Sequence, residues 1–326
     1  MFFFHKDYFR NARGQHIKIF FYGVFMMILA LVLLSVVTAV TVGGGMGLIA
    51  NDYTGIGITT IIFGVLAIFV ISVLILMPLQ YSIYAYYMYG YKGQNVRFSD
   101  GLILFRKGNY WRTIGLILLL TIAMMLISSL TSGVIYGIGF VITSLFGLGS
   151  AMFDPDQLEN IGMGATILFL IIQFVLSILQ MAVYLIAQIG VAMIVLNHID
   201  QPQTTLGSKI SKGLTIAFKS FKELLKLLFS NFILIVAPII LMFGAIITIM
   251  ITMIGFNTVD SFSVGAAITI TLISIIFTIL FIFIGYYMTG SFISYYFNGR
   301  DRYERKHELP SQDDYRDVNT QHITMS

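Results

Sequence analysis

The 326-residue chain contains no cysteine, and only 10% of its residues are charged. Absence of cysteine excludes disulfides, thiolate metal sites and a cysteine nucleophile, and leaves the redox compartment open. Scarcity of charge excludes more. A water-soluble domain carries roughly a quarter charged residues and about half apolar ones. Here 58% of residues are hydrophobic and the mean hydropathy is +0.90. That surplus cannot hide in one core and must face lipid.

Chemistry is also poorly provided for. The long apolar runs hold no ionisable residue, so proton relays, paired aspartates and buried ion-pair coupling lack their usual groups. The five histidines are dispersed and show no metal-ligand spacing. No Gly-rich phosphate loop ending in Lys and Ser or Thr occurs, and no span supplies a histidine to activate a serine. The expectation is a non-enzymatic protein with no cofactor and no catalytic or metal residues. No cleavable signal is expected either: Phe2, Phe3 and Phe4 precede the basic residues, so the first span is expected to remain as an anchor.

What is present is six long stretches free of Asp, Glu, Lys, Arg and His: Ile19–Asn51, Tyr53–Tyr91, Thr113–Phe153, Asn160–Asn197, Leu227–Val259 and Ser261–Gly299. A helix needs about 20 apolar residues to cross the hydrocarbon layer, and backbone groups facing lipid must be satisfied within a helix. Strict alternation, the mark of barrel strands, is missing. The chain therefore reads as all-α, a polytopic membrane protein with six transmembrane helices, each run being one span with non-helical or interfacial ends.

Every Lys and Arg falls in four clusters: Lys6–Lys18, Lys92–Arg112, Lys209–Lys226 and Arg300–Arg316. With six spans these are the N-terminus, the second and fourth loops and the C-terminus, all on one side. The other three loops hold only Asp52, then Asp154, Asp156 and Glu159, then Asp260. The positive-inside rule makes the basic side cytoplasmic, with both termini there.

The second, fourth and sixth spans end alike, in Tyr91-Lys92-Gly93-Gln94, Asn197-His198-Ile199-Asp200 and Asn298-Gly299-Arg300-Asp301. The first two endings lead into basic, aromatic-containing segments, Phe98–Trp111 and Leu206–Phe229, and Phe4–Lys18 is the N-terminal version. Ser99 and Asp100 are candidate helix caps for the first of these segments. Three repeated hairpins with basic interfacial helices follow: residues 1–97, 98–205 and 206–300, then a disordered cytoplasmic tail over 301–326.

Within Leu206–Phe229, Lys212, Lys219, Lys222 and Lys226 share one face of a single expected helix, opposite Ile210, Leu214, Phe218, Phe221, Leu225 and Leu228. Anionic inner-leaflet lipid attracts each Lys by about 1 kcal/mol. The four lysines are a candidate lipid or partner surface; the plainer reading is that they enforce topology.

Gln173, Gln180 and, less closely, Gln188 run down one side of the fourth span. They are either interhelical hydrogen-bonding groups or a candidate intramembrane polar groove. Pro78 and Pro238 are expected to kink their spans or free a carbonyl. Gly43, Gly44, Gly45 and Gly47 read as a flexible exit loop, Gly133 and Gly137 as a close helix-packing pair. The tyrosines from Tyr81 to Tyr91, with Trp111, read as an interfacial belt.

The stretch Pro78–Met125 carries a resemblance. A span ends in aromatics, then come Lys92-Gly93, Phe98-Ser99-Asp100, Leu104-Phe105 and Tyr110-Trp111-Arg112 before the next span. This resembles uncharacterised multi-pass membrane proteins of Gram-positive bacteria. More distantly it is similar to the membrane domain attached to some glycerophosphodiester phosphodiesterases. The resemblance implies a bacterial plasma-membrane protein; the phosphodiesterase catalytic domain and its acidic metal ligands have no counterpart.

Two functions are compatible with these features. The leading one is a non-enzymatic membrane protein of envelope homeostasis, or a membrane-embedded partner of another system. Its contacts would be anionic inner-leaflet lipids and a protein partner bound through the cytoplasmic loops or tail, with no role for nucleic acid. The alternative is a transporter or permease subunit moving a small solute, peptide or lipid. Orientation is testable directly, because the chain has no native cysteine. Single cysteines at Asn51, Ser150 and Asn257 are expected to react with an impermeant thiol reagent added outside intact cells, and cysteines at Gln94, Gln203 and Ser311 to stay unlabelled. The reverse pattern would invert the topology.

Overall fold

A computed structural model describes residues 2–106, 108–146, 163–255 and 264–307. Among these residues every regular element is helical. The helices are α1 (Phe3–Asn11), α2 (His16–Thr38), α3 (Gly44–Ala50), α4 (Thr54–Ile71), α5 (Met77–Tyr91), α6 (Phe98–Gly101), α7 (Tyr110–Leu145), α8 (Met163–Asp200), α9 (Leu206–Phe218), α10 (Phe221–Gly255) and α11 (Val264–His307). Six helical stretches among the described residues are long and apolar enough to cross a membrane: His16–Ala50, Thr54–Tyr91, Tyr110–Leu145, Ile171–Asp200, Phe221–Met242 and Thr271–Arg305.

Several ends differ from the sequence expectation. Helix continues where the sequence suggested irregular ends, because lipid and its interface offer a backbone few alternatives to internal hydrogen bonds. The glycines Gly43 to Gly47 are not a loop: they lie in a π-helical turn, Ala39–Gly43, and in α3. There Gly45 and Gly57 let two backbones meet, since a Cβ on Gly57 would lie 2.7 Å from the Gly45 carbonyl oxygen. The chain reverses between α3 and α4 through Asp52, at φ 66°, with Tyr53 N–H donating to Leu48 O at 3.0 Å. By contrast, added Cβ atoms at Gly133 and Gly137 would meet nothing within 4 Å, so neither supports close packing among the described residues. Helix α11 runs on through His307, so the segment expected as a disordered tail begins as helix; residues 308–326 lie outside the described residues.

Pro78 has the expected effect. The second span passes from α4 through a π-helical turn, Ser72–Leu76, into α5. Proline cannot donate to the carbonyl four residues earlier. That carbonyl, Leu74 O, accepts instead from the Tyr110 hydroxyl at 2.9 Å.

The expected basic helix over Leu206–Phe229 is divided. Helix α9 ends at Phe218 and α10 begins at Phe221. The buried side comprises Gly213, Ile216, Ala217, Leu224 and Leu227, whereas Leu214, Phe218 and Phe221, assigned to the apolar face from sequence, are exposed. Phe98–Trp111 is likewise broken. After α6 come a 3-10 turn, Leu102–Phe105, and the start of α7 at Tyr110. Arg97 precedes α6, and its N–H donates to the Asp100 carboxylate at 2.8 Å.

By contacts the chain forms two compact units. The first comprises Met1–Arg13, Tyr91–Gly93 and Leu214–Ser326, the second Gly14–Gly90 and Gln94–Gly213. In each, most buried side chains lie towards the basic ends of the spans. In the first these include Phe4, Tyr8, Leu227, Tyr295 and Tyr296; in the second Ile19, Tyr22, Met88, Leu116 and Met193. Towards the other ends, Ile56 to Val70, Leu126 to Val141 and Leu272 to Phe283 contribute large exposed apolar side chains.

Close approach near the basic ends makes a prediction. A Cβ on Gly213 would sit 2.7 Å from Ile194 Cα and 2.9 Å from Ile194 N, and backbone cannot swing aside. Gly213→Ala is expected to cost about 1–3 kcal/mol in unfolding from detergent micelles. Gly133→Ala, with open space around it, should change stability by no more than about 1 kcal/mol.

Candidate functional site

In the first unit, α1 is short and mostly buried along one side, with His5, Asp7 and Tyr8 at 4%, 9% and 0% exposure. A carboxylate removed from water is costly unless every lone pair finds a donor, and Asp7 is fully supplied. Its Oδ2 accepts from the Tyr91 hydroxyl at 2.7 Å, from Ser294 Oγ at 2.7 Å and from Asn298 Nδ2 at 3.3 Å. Its Oδ1 accepts from Arg10 Nη2 at 2.9 Å and Asn11 Nδ2 at 3.3 Å. Burial pushes the carboxyl upward, but the hydrogen bonds from Ser294 and Tyr91, the Arg10 charge and Asn298 outweigh it and hold Asp7 below its ordinary range.

Beside it, His5 Nε2 lies 3.1 Å from Asn231 Oδ1, which also accepts from Ser291 Oγ at 3.2 Å. His5 Nδ1 and Asn231 Nδ2 are buried with no hydrogen-bond partner. Burial lowers the His5 pKa more than the Asn231 bond raises it. Rings continue the packing: Tyr91 stacks on Phe297 with centroids 4.9 Å apart, and Phe4 meets Tyr295 edge-on at 5.2 Å. The Tyr295 hydroxyl donates to Ala217 O of α9 at 2.7 Å.

A second cluster, in the second unit, fastens the α9 end of that unit to α8. Lys209 is 1% exposed, and its Nζ reaches His198 Nδ1 and Pro202 O, each at 2.8 Å. His198 Nε2 lies 2.9 Å from Thr113 Oγ1, and that hydroxyl donates to Asn109 O at 2.9 Å. The single Thr113 hydroxyl hydrogen is thus committed, so His198 carries its proton on Nε2 and accepts from Lys209 through Nδ1. Asn197 Nδ2 adds a bond to Lys209 O at 3.1 Å. Just beyond the C-terminus of α8, the negative end of its dipole lies beside the ammonium. Burial lowers the Lys209 pKa, and the Arg112 charge adds to this.

The lysines singled out by sequence are divided between the two compact units. Lys212 belongs to the second unit and contacts Gln201 Oε1 at 3.5 Å. The others belong to the first: Lys219 lies over the Tyr303 ring at 5.1 Å, Lys222 is exposed, and Lys226 pairs with Glu223 at 2.9 Å. Of the glutamines, Gln180 alone joins a cluster among the described hydrogen bonds, donating to Tyr184 Oη at 2.9 Å and Ser132 Oγ at 3.2 Å. Gln188 is exposed and Gln173 half-exposed. At helical rise, Gln173 and Gln188 stand about 22 Å apart along α8.

Sequence reasoning missed Asp7, His5 and Lys209, having treated the basic clusters as topology markers. One signal was available: Asp7 is an acid inside an otherwise basic segment, where orientation alone does not call for one.

Together, the helical architecture and the six apolar helices describe a multi-pass membrane protein. No family model, curated protein or solved structure matches the chain.

Asp7 generates a pH prediction. Its folded pKa is depressed, so its stabilisation is complete above a pH of about 4, the unfolded value, and is lost as pH falls through the folded value. Limited proteolysis of the N-terminal segment in mild detergent should quicken over that acidic range. Asp7→Asn should weaken docking of α1 by roughly 1–3 kcal/mol at neutral pH and flatten the acid-dependent step.

Proposed function

We propose that the chain is a non-enzymatic bacterial plasma-membrane protein with both termini cytoplasmic, acting in envelope homeostasis or as the membrane-embedded partner of another system. The observation that carries this reading is the investment at the basic ends. Buried charged side chains, Asp7 on α1 and Lys209 on α9, fasten short helices there through several hydrogen bonds each. Such groups hold geometry rather than free reactive atoms, and the charges left exposed face the inner membrane surface. Lys222, beside exposed Phe221 and Phe229, has the chemistry to meet anionic headgroups while its aromatic neighbours enter the interface.

Replacement of Lys212, Lys219, Lys222 and Lys226 by Gln is the test. Membrane insertion should be unchanged. Recovery of copurifying proteins and of anionic lipid from mild detergent should fall severalfold. Undiminished recovery of both would remove the lysines from the reading.

A transporter or permease subunit is the second reading, favoured by one observation: a cavity of about 460 Å³ in the second unit, lined by residues of three spans. Reconstituted protein showing no flux of solute, peptide or lipid, with no ATPase recovered beside it, would dispose of that reading.

A further inference from the structure

The cavity just described carries hydrogen-bonding groups and no ionisable side chain other than tyrosine. Met77 and Tyr81 of α5 line it, together with Met124, Met125 and Ser128 of α7 and Tyr184 of α8. Its volume of about 460 Å³ lies within the ordinary range of ligand sites. Methionines make its walls adaptable to a flexible chain.

At one end stands a hydroxyl cluster. Tyr184 Oη lies 3.0 Å from Ser128 Oγ and 3.2 Å from Ser132 Oγ, and the Gln180 amide donates to Tyr184 and Ser132. The three hydroxyls and the amide carry five hydrogens between them, and these four contacts use four. One hydrogen is left for an acceptor outside the cluster, in a setting where an unused donor is costly.

Depth narrows the acceptor. Ser128 is sixteen residues from Arg112, and Tyr184 sixteen from Asp200. Each therefore stands about 24 Å along its helix from a charged end, across a hydrocarbon layer about 30 Å thick. The hydroxyls thus lie in the leaflet opposite the basic ends, just inside its interface, while Tyr81 and the methionines line the path towards the bilayer centre. That is the level of the ester carbonyls of a glycerolipid, with its acyl chains pointing inward.

We propose that this cavity binds a diacyl glycerolipid of the leaflet opposite the basic ends, one ester carbonyl accepting from the Ser128–Tyr184 cluster and one acyl chain lying along Met124, Met125 and Met77. The site is uncharged because it reads the glycerol level and leaves the headgroup in water. The proposal goes beyond both functional readings and requires neither.

The test uses the full chain reconstituted in phosphatidylglycerol nanodiscs with trace diacyl phospholipid carrying a diazirine in one acyl chain, and a matched ether-linked probe without carbonyls. The ester probe should label the α7 peptide containing Met124 and Met125 roughly fivefold to tenfold more than the ether probe, the scale expected for one hydrogen bond. The double variant Ser128→Ala, Tyr184→Phe should reduce ester labelling to the ether level. Met124→Trp, which fills the cavity and leaves the cluster intact, should abolish labelling by both. Monodisperse elution of each variant certifies folding, and the ester-to-ether ratio in the unmodified chain stands even where a variant fails to fold. Equal labelling by the two probes, or labelling spread over the exposed face from Leu130 to Val141, would overturn the proposal. So would equal competition by free fatty acid, which would make the occupant a single acyl chain rather than a glycerolipid.

Discussion

Desolvation of charge organises this molecule. Moving an ionised group into hydrocarbon costs several kcal/mol, so a chain with few charged residues gathers them where water is reached, and its tightest packing follows them. Aromatic rings fill the space around them: Tyr22 stacks on Tyr86 with centroids 3.9 Å apart, and Tyr8 on Tyr91 at 6.0 Å. Both pairs lie near the basic ends. Farther along the spans, lipid satisfies apolar side chains as well as protein would, and nothing forces the helices into equally close contact there.

The two buried charges illustrate opposite solutions to one problem. Asp7 is surrounded by donors from α1, α5 and α11, so its charge is dispersed over hydroxyls, amides and one guanidinium. Lys209 has a neutral imidazole and a backbone carbonyl, and the end of a helix stands in for a counter-ion. Breaking either leaves an uncompensated charge. Each charge therefore specifies where a short helix rests, a task that apolar contact alone, being non-directional, performs less selectively.

Helical class and the six apolar stretches were legible in the sequence because both depend on composition summed over some twenty residues. Local geometry was less so. The division between α9 and α10 falls at Lys219–Ser220, where neither residue forbids helix; tertiary contacts such as Gly213 against Ile194 and Ile216 against Gly299 decide which side is buried. Periodicity in Leu206–Phe229 marked an apolar face but could not say that Phe218 and Phe221 would be left outside. Gln180 was legible as a polar residue within a span. Its association with Tyr184, Ser128 and Ser132 was not, because that depends on the register of α7 against α8. The Gly45–Gly57 contact was hidden for the same reason: several glycines in a row look flexible until a second backbone is laid against them.

The proline in the second span also bears on how the chain is assembled. Leu74 O is left without its helical donor by Pro78 and receives one from Tyr110, a residue belonging to the next span. A nascent chain that has inserted only its first two spans lacks that hydroxyl donor. The arrival of the third span supplies the missing hydrogen. Completion of one helix thus waits upon delivery of another, and the order of synthesis becomes part of the energetics of the membrane domain.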